Sequence, residues 1–414
     1  MESRAARPTA PVKPGGRIAE IDIIRGFALF GILLVNMGFF KSPLFYLVPS
    51  PSVYAPGADR LGAWIIQLLA TGKFYAIFSF LFGLGFYIFM NRLSARGLDP
   101  QAVFSRRLLG LLLMGLLHLG LIWTGDILVA YSIVGFILLA FRNTPPRELL
   151  RWIAALFFLS LLVEGGFFLI YGASQVYLGE EFMTQQAAFK EAASAVLQRG
   201  SAGEILFHRL TAEVPGALLT GIVYYPSILM YFLSGLYAGR IGLFSHPDKH
   251  LPMVRRLWRW GILAGPALSV LYVLAETGAL PVPDLFRFSV LRIVNQAGAI
   301  FLSGFYVSSL ILLLRRPFWR RLLSPLAGVG RMALTNYLTQ SLVCVFIFYG
   351  YGLGQFGRIS VWEGMALTLA LLSVQILWSG LWLSRFQYGP LEWLWRGFTY
   401  GRRLPLRKGA ARAP

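Results

Sequence analysis

The 414-residue chain contains a single cysteine, Cys344. One thiol excludes an intramolecular disulfide, and with it cysteine-pair redox chemistry and the Cys-rich zinc clusters. Charge is also scarce: Asp, Glu, Lys and Arg make up 14% of the residues, against about 25% in a soluble domain. Acidic side chains are the rarest part of that small set, 18 against 38 Lys and Arg, for a formal net charge of +20. Such a balance invites a nucleic-acid partner. The cations, however, sit at the ends of apolar runs, without the polar, aromatic-interleaved surface that such binding needs. Their placement is topological, and nucleic acid is set aside as a partner.

What the chain has in abundance is apolar surface: 57% of its residues are hydrophobic and the mean hydropathy is +0.64. The excess recurs in blocks of roughly twenty residues, the length that spans a bilayer as a helix. Soluble enzyme, disordered chain and fibrous protein are thereby excluded. Apolar runs fall near 19–40, 74–90, 107–123, 127–141, 152–171, 217–239, 257–275, 293–314, 326–349 and 361–384. They predict an all-α, polytopic membrane helix bundle of about ten transmembrane helices. Runs 61–90 and 214–243 are long enough for an interfacial helix to precede the span. The first span carries Asp22 and Arg25 with no small-residue cleavage site after it, so it reads as retained rather than as a removed signal peptide.

Counting Arg107, Arg259 and Arg331, at the inner ends of their spans, with the adjoining connections, ten spans divide the Lys and Arg into 28 on the side of the termini and 9 on the other, and Arg25 lies inside the first span. By the positive-inside rule both termini are cytoplasmic. The chain then consists of a basic cytoplasmic tail (1–18), the transmembrane bundle (19–384) and a second basic tail (385–414). The one long polar connection, about 173–213, is rich in good helix formers and reads as a helical excursion on the outer face. No internal repeat is evident, which counts against a transporter built from inverted repeats.

Ionisable and amide groups inside the spans are costly, and so they are the functional candidates. Asp22, Arg25 and Asn36 share one face of the first helix at 3.6 residues per turn. They read either as a polar path or as a boundary ion pair plus an interhelical hydrogen bond. His118 lies near the outer end of the third span, and Asp126 follows in the short turn after it. Histidine exchanges protons near neutral pH, and a nearby carboxylate can orient it, so this corner can hold a general base. A direct contact requires the turn to fold back across eight residues. His208, His246 and His250 lie in polar connections. Glu164, within the fifth span, requires a partner, for which Arg292 and Lys73 are the available cations. Arg331, Asn336 and Gln340 mark the ninth span, with Asn336 and Gln340 on one face; interhelical hydrogen bonding and a polar cavity both fit them. No His, Asp or Glu spacing matches a metal motif, so no metal is expected.

The segment Ile21 to Asn36, IDIIRGFALFGILLVN, resembles the opening of the YeiB-like family of bacterial inner-membrane proteins. So do KFYAIFSFLFGLG from Lys73, GLLHLGLIWTGDIL from Gly115, GRMALTNYLTQS from Gly330 and FQYGPLEWLWR from Phe386, in order along nearly the whole chain. That family is a domain of unknown function, distantly related to transmembrane acyltransferases such as heparan glucosaminide acetyltransferase and bacterial glycan O-acetylating proteins. The resemblance implies a multi-pass protein of the bacterial inner (plasma) membrane. It also implies transfer of an acyl group from cytoplasmic acyl-CoA to a sugar on the far side. The related signature, an Arg, ten residues and a polar group, falls on Arg25 and Asn36. The O-acetylating branch has a histidine at the second position, whereas Asn36 cannot act as a base, and residues 37–73 contain no histidine to replace it.

The leading expectation is therefore a membrane-embedded acyltransferase, with His118 as base, Asp126 orienting it, Asn36 beside them and Arg25 at the donor's phosphates. Membrane lipids and a glycan or lipid-linked acceptor are the expected partners. The remaining candidates, Asp22, Lys73, Glu164, Arg331, Asn336 and Gln340, would line the polar cavity. A transporter or flippase using the same residues is the alternative, and a structural or assembly partner is the third class.

Overall fold

The computed structural model describes residues 18–42 and 57–408. Their helices, in chain order, are α1 (Ala19–Phe40), α2 (Ala58–Leu69), α3 (Lys73–Ser94), α4 (Pro100–Leu117), α5 (Leu128–Leu138), α6 (Pro146–Arg199), α7 (Ala202–His208) and α8 (Val214–Gly221). After these come α9 (Tyr225–Arg240), α10 (Leu251–Glu276), α11 (Asp284–Leu313), α12 (Pro317–Leu323), α13 (Pro325–Arg331), α14 (Ala333–Phe348), α15 (Val361–Arg385) and α16 (Pro390–Tyr400). The β pairing among the described residues is one isolated bridge, Phe386 with Arg407. Among the described residues eight helical stretches are long and apolar enough to cross a membrane, and Leu128–Phe141 and Ala333–Phe348 are shorter apolar helices. The chain is a polytopic membrane helix bundle. Hydrocarbon offers backbone groups no partner, so apolar runs of this length can only be helical.

Several pairs of helices touch at their backbones through glycine. A Cβ on Gly83 would lie 1.9 Å from the Phe232 carbonyl oxygen, and one on Gly235 would lie 1.9 Å from that of Phe80, so α3 and α9 meet at small-residue contacts. In the same way Gly26 of α1 faces the Leu326 carbonyl and Gly330 of α13 faces that of Asp22. Around the first contact the core is aromatic: Phe82 stacks on Phe232 at 4.4 Å and Tyr131 packs edge-on to both.

A separate helix, α2, precedes the second span, and the long polar connection after the fifth is helical. α6 has 54 residues, about 81 Å at 1.5 Å per residue, far more than the ~30 Å of hydrocarbon. It breaks at Gly179, whose φ of 53° is a left-handed conformation that suits glycine. The returning half reaches the outer end of the bundle, where the Gly350 amide donates to the Leu197 carbonyl at 2.9 Å. There Leu197 joins Leu33, Met37, Phe40, Trp123 and Phe348 in a second core.

Candidate functional site

The third span does not end as an α-helix. After α4 the chain makes a π-helical turn, His118–Ile122, closed by the Trp123 amide donating to the His118 carbonyl at 2.8 Å. Such bulges recur at functional sites. Trp123 is extended, and the chain then reverses tightly. Gly115 allows the reversal, since a Cβ there would lie 2.8 Å from the Val129 amide of the next helix. Asp126 sits at the head of that helix and accepts from the Val129 amide at 2.8 Å through Oδ1. Its other oxygen, Oδ2, lies 2.7 Å from His118 Nδ1. The turn therefore folds back and joins the two residues directly.

The pair is buried: the side chains are 1% and 0% exposed. Burial pushes the Asp126 carboxyl above its ordinary range, and the hydrogen bonds from His118 and from backbone amides oppose that shift. With Nδ1–H donated to Asp126, the Nε2 lone pair is free, and Nε2 has no hydrogen-bond partner among the described residues. A carboxylate-oriented imidazole with an unengaged Nε2 has the form of a general base. Tyr337 of α14 packs its ring 5.3 Å from that of His118 and donates to the Gly125 carbonyl at 3.2 Å, bracing the turn.

The structure adds residues that the sequence reading passed over. A second π-helical turn, Arg209–Glu213, lies against the first. Arg209 Nη1 donates to the Leu121 carbonyl at 2.8 Å, an acceptor left open at the helix end. Glu213 accepts from Thr124, two residues before Asp126, at 3.1 Å. Arg209 and Glu213 are both buried, although they lie in the stretch that composition assigned to the outer excursion. Their signal was the i,i+4 spacing of opposite charges against an apolar background.

Asn36 comes near this corner by its helix alone. Phe40, one turn later, packs on Trp123 at 4.0 Å, whereas Asn36 is half-buried and no hydrogen bond among the described residues joins it to His118 or Asp126. Glu164 is 1% exposed and pairs with Arg292, whose Nε donates to Oε2 at 2.7 Å. Lys73, the other cation offered for that role, is not the partner. It donates to the Gln67 carbonyl at 2.9 Å and to Asn295 at 3.2 Å, because it begins α3 directly beneath the end of α2. Asn336 donates to Val329 and Ser379, and Gln340 donates to Gln375, so both join α14 to its neighbours as interhelical hydrogen bonds.

At the opposite end, Arg25 donates to Asp22 at 2.7 Å and to the Gly330 carbonyl at 3.3 Å. These two residues and Arg331 line a cavity of about 210 Å³. The single polar cavity expected from the sequence is thus divided. His118, Asp126, Asn36, Lys73, Glu164, Asn336 and Gln340 are not among the residues lining the space around Arg25.

A multi-pass helical membrane protein with a buried His–Asp dyad at one end and an arginine-lined cavity at the other is the class these features define. Comparison with known proteins gives the family. Residues 238–402 match the family described as Protein of unknown function (DUF418). The uncharacterized protein YxaH of Bacillus subtilis is 35% identical, covering 96% of this chain and 98% of its own length. The uncharacterized protein YeiB of Escherichia coli is 30% identical, over 92% of this chain and 96% of its own. A 39.9 kDa uncharacterized protein in the amylase 3' region of Bacillus acidopullulyticus is 29% identical over 96% and 97%. The chain belongs to the YeiB-like family.

Proposed function

We propose that the chain is a membrane-embedded acyltransferase of the bacterial inner membrane. It would move an acyl group from cytoplasmic acyl-CoA to a hydroxyl of a glycan or lipid-linked acceptor at the outer face. The observation that carries this reading is the 2.7 Å contact of His118 with Asp126, buried and with Nε2 unengaged. In the reaction His118 Nε2 takes the proton of the acceptor hydroxyl while the oxygen attacks the thioester carbonyl carbon. The tetrahedral intermediate collapses, the C–S bond breaks, and the imidazolium returns the proton to the leaving thiolate. Asp126 holds the Nδ1 proton and balances the transient positive charge. Arg25, half-exposed at the other end, meets the donor's phosphates.

Positioned general bases contribute about 10² to 10⁴ in rate. His118→Ala is therefore expected to lower acyl transfer by that factor in purified, reconstituted protein while donor binding persists. Full transfer activity in the variant would remove the mechanism. The second reading, a transporter or flippase, draws on Glu164, Arg292 and Lys73, a polar network deep in the bundle of the kind that lines translocation paths. Substrate flux across proteoliposomes without chemical turnover would favour it.

A further inference from the structure

At the end of the bundle that the charge bias places in the cytoplasm, six guanidinium groups line one cavity. Arg25, Arg92, Arg96, Arg107, Arg331 and Arg396 surround about 210 Å³, and Asp22 is the one carboxylate in the lining. The glycine contact of α1 with α13 explains part of this crowding. Gly26 and Gly330 meet at backbone distance, so their neighbours Arg25 and Arg331 are forced onto the same wall. Asp22 is already bonded to Arg25. Glu392, one turn from Arg396, caps α14 by accepting from the Leu334 and Thr335 amides at 2.7 and 3.0 Å.

Arg107 and Arg396 are held by ring faces, which leaves their hydrogen-bonding edges open. The Arg107 guanidinium lies over the Trp395 ring at 3.5 Å and over Phe89 at 5.3 Å, and that of Arg396 lies 4.8 Å from the Tyr388 ring. Stacking uses the face of a guanidinium and leaves its N–H rim for an acceptor in the plane. Nε of Arg331 is buried with no hydrogen-bond partner among the described residues. Like charges converging on a half-buried cavity repel one another, and an anion among them relieves that repulsion. The rims match phosphate oxygens, which Arg binds bidentately. Ile88 and Phe89 add apolar surface to the lining of the cavity.

We infer that this cavity binds a ligand bearing two or more phosphate charges, gripped by Arg25, Arg107, Arg331 and Arg396. The ligand is either the headgroup of a membrane lipid or a soluble phosphoanhydride. Where Arg25 meets the donor's phosphates the inference rests on the acyl-transfer reading. The measurement does not, since no acyl group is involved.

The test is isothermal titration of full-length protein in detergent with inorganic pyrophosphate. Binding is expected, with inorganic phosphate at least about tenfold weaker. Arg107→Gln or Arg396→Gln should each weaken pyrophosphate by about tenfold, the loss of one charge-assisted hydrogen bond. Added salt should also weaken it. Thermal unfolding without ligand identifies any variant that fails to fold. Arg331→Lys, which keeps the charge, should retain part of the affinity, and His118→Ala should bind as the unmodified protein does. Competition by coenzyme A identifies a soluble source, and competition by short-chain phosphatidic acid a lipid source. Absence of pyrophosphate binding at millimolar concentration, or unchanged affinity in folded Arg107→Gln and Arg396→Gln proteins, would overturn the site. Normal binding alongside full activity of His118→Ala would instead overturn the transfer mechanism alone.

Discussion

Glu164 and Arg292 show how much a buried residue depends on its partner. Both charges were moved out of water, and their mutual attraction and hydrogen bond offset that cost. Arg292→Ala would leave Glu164 uncompensated and is expected to cost about 3 to 5 kcal/mol, read as a lowered midpoint of thermal unfolding in detergent. The double variant Glu164→Gln, Arg292→Met should recover most of that loss, because no buried charge is left. A double variant as unstable as Arg292→Ala would show that the pair acts through packing instead. The need for a partner at Glu164 was legible from one carboxylate inside an apolar run. The choice of Arg292 over Lys73 was not. Both lie near outer span ends, and only the packing of α11 against α6 brings Arg292 within reach. His118 and Asp126 divide in the same manner. Their chemistry could be read from the residue types, but their contact needed the π-helical turn and the close approach at Gly115, neither of which has a pattern in the sequence.

Among the helices, glycine decides which pairs come close. Gly83 and Gly85 are two residues apart on α3, yet a Cβ at Gly83 would meet the Phe232 carbonyl at 1.9 Å, and one at Gly85 would meet nothing within 4 Å. Gly83→Ala is expected to destabilise by about 1 to 3 kcal/mol through overpacking. Gly85→Ala should be neutral or stabilising by about 0.5 to 1 kcal/mol, the ordinary helix preference for alanine. Thermal unfolding of the two variants side by side is the measurement, and equal effects would contradict the backbone contact of α3 with α9. Asn336 and Gln340 belong at this scale too. Their shared face was legible, and the structure spends both on hydrogen bonds from α14 to its surroundings, with Gln375 on α15 bonded to each.

For the molecule as a whole, the charge bias sets the orientation. With Cys344 replaced by alanine, a cysteine at Glu191 should react with an impermeant maleimide added outside, and one at Arg403 only after the membrane is opened. The reverse pattern would invert the bundle and place the arginine-lined cavity on the outer face. The same orientation puts the His118–Asp126 corner on the outer side.

Composition and the length of its apolar runs are enough to make the chain a polytopic membrane helix bundle. Hydrocarbon leaves apolar runs of that length no other hydrogen-bonded form, and cations stay outside it. Which polar groups come together is a matter of packing: His118 meets Asp126, Glu164 meets Arg292, and Arg25 and Arg331 line a cavity that the other four do not. Lipid tails and apolar side chains are nearly equivalent surroundings for a helix. The rotation and partner of each span are therefore set by close backbone approach at small residues and by a few buried hydrogen bonds. Those contacts join residues up to hundreds of positions apart, and apolar periodicity along the chain does not record them.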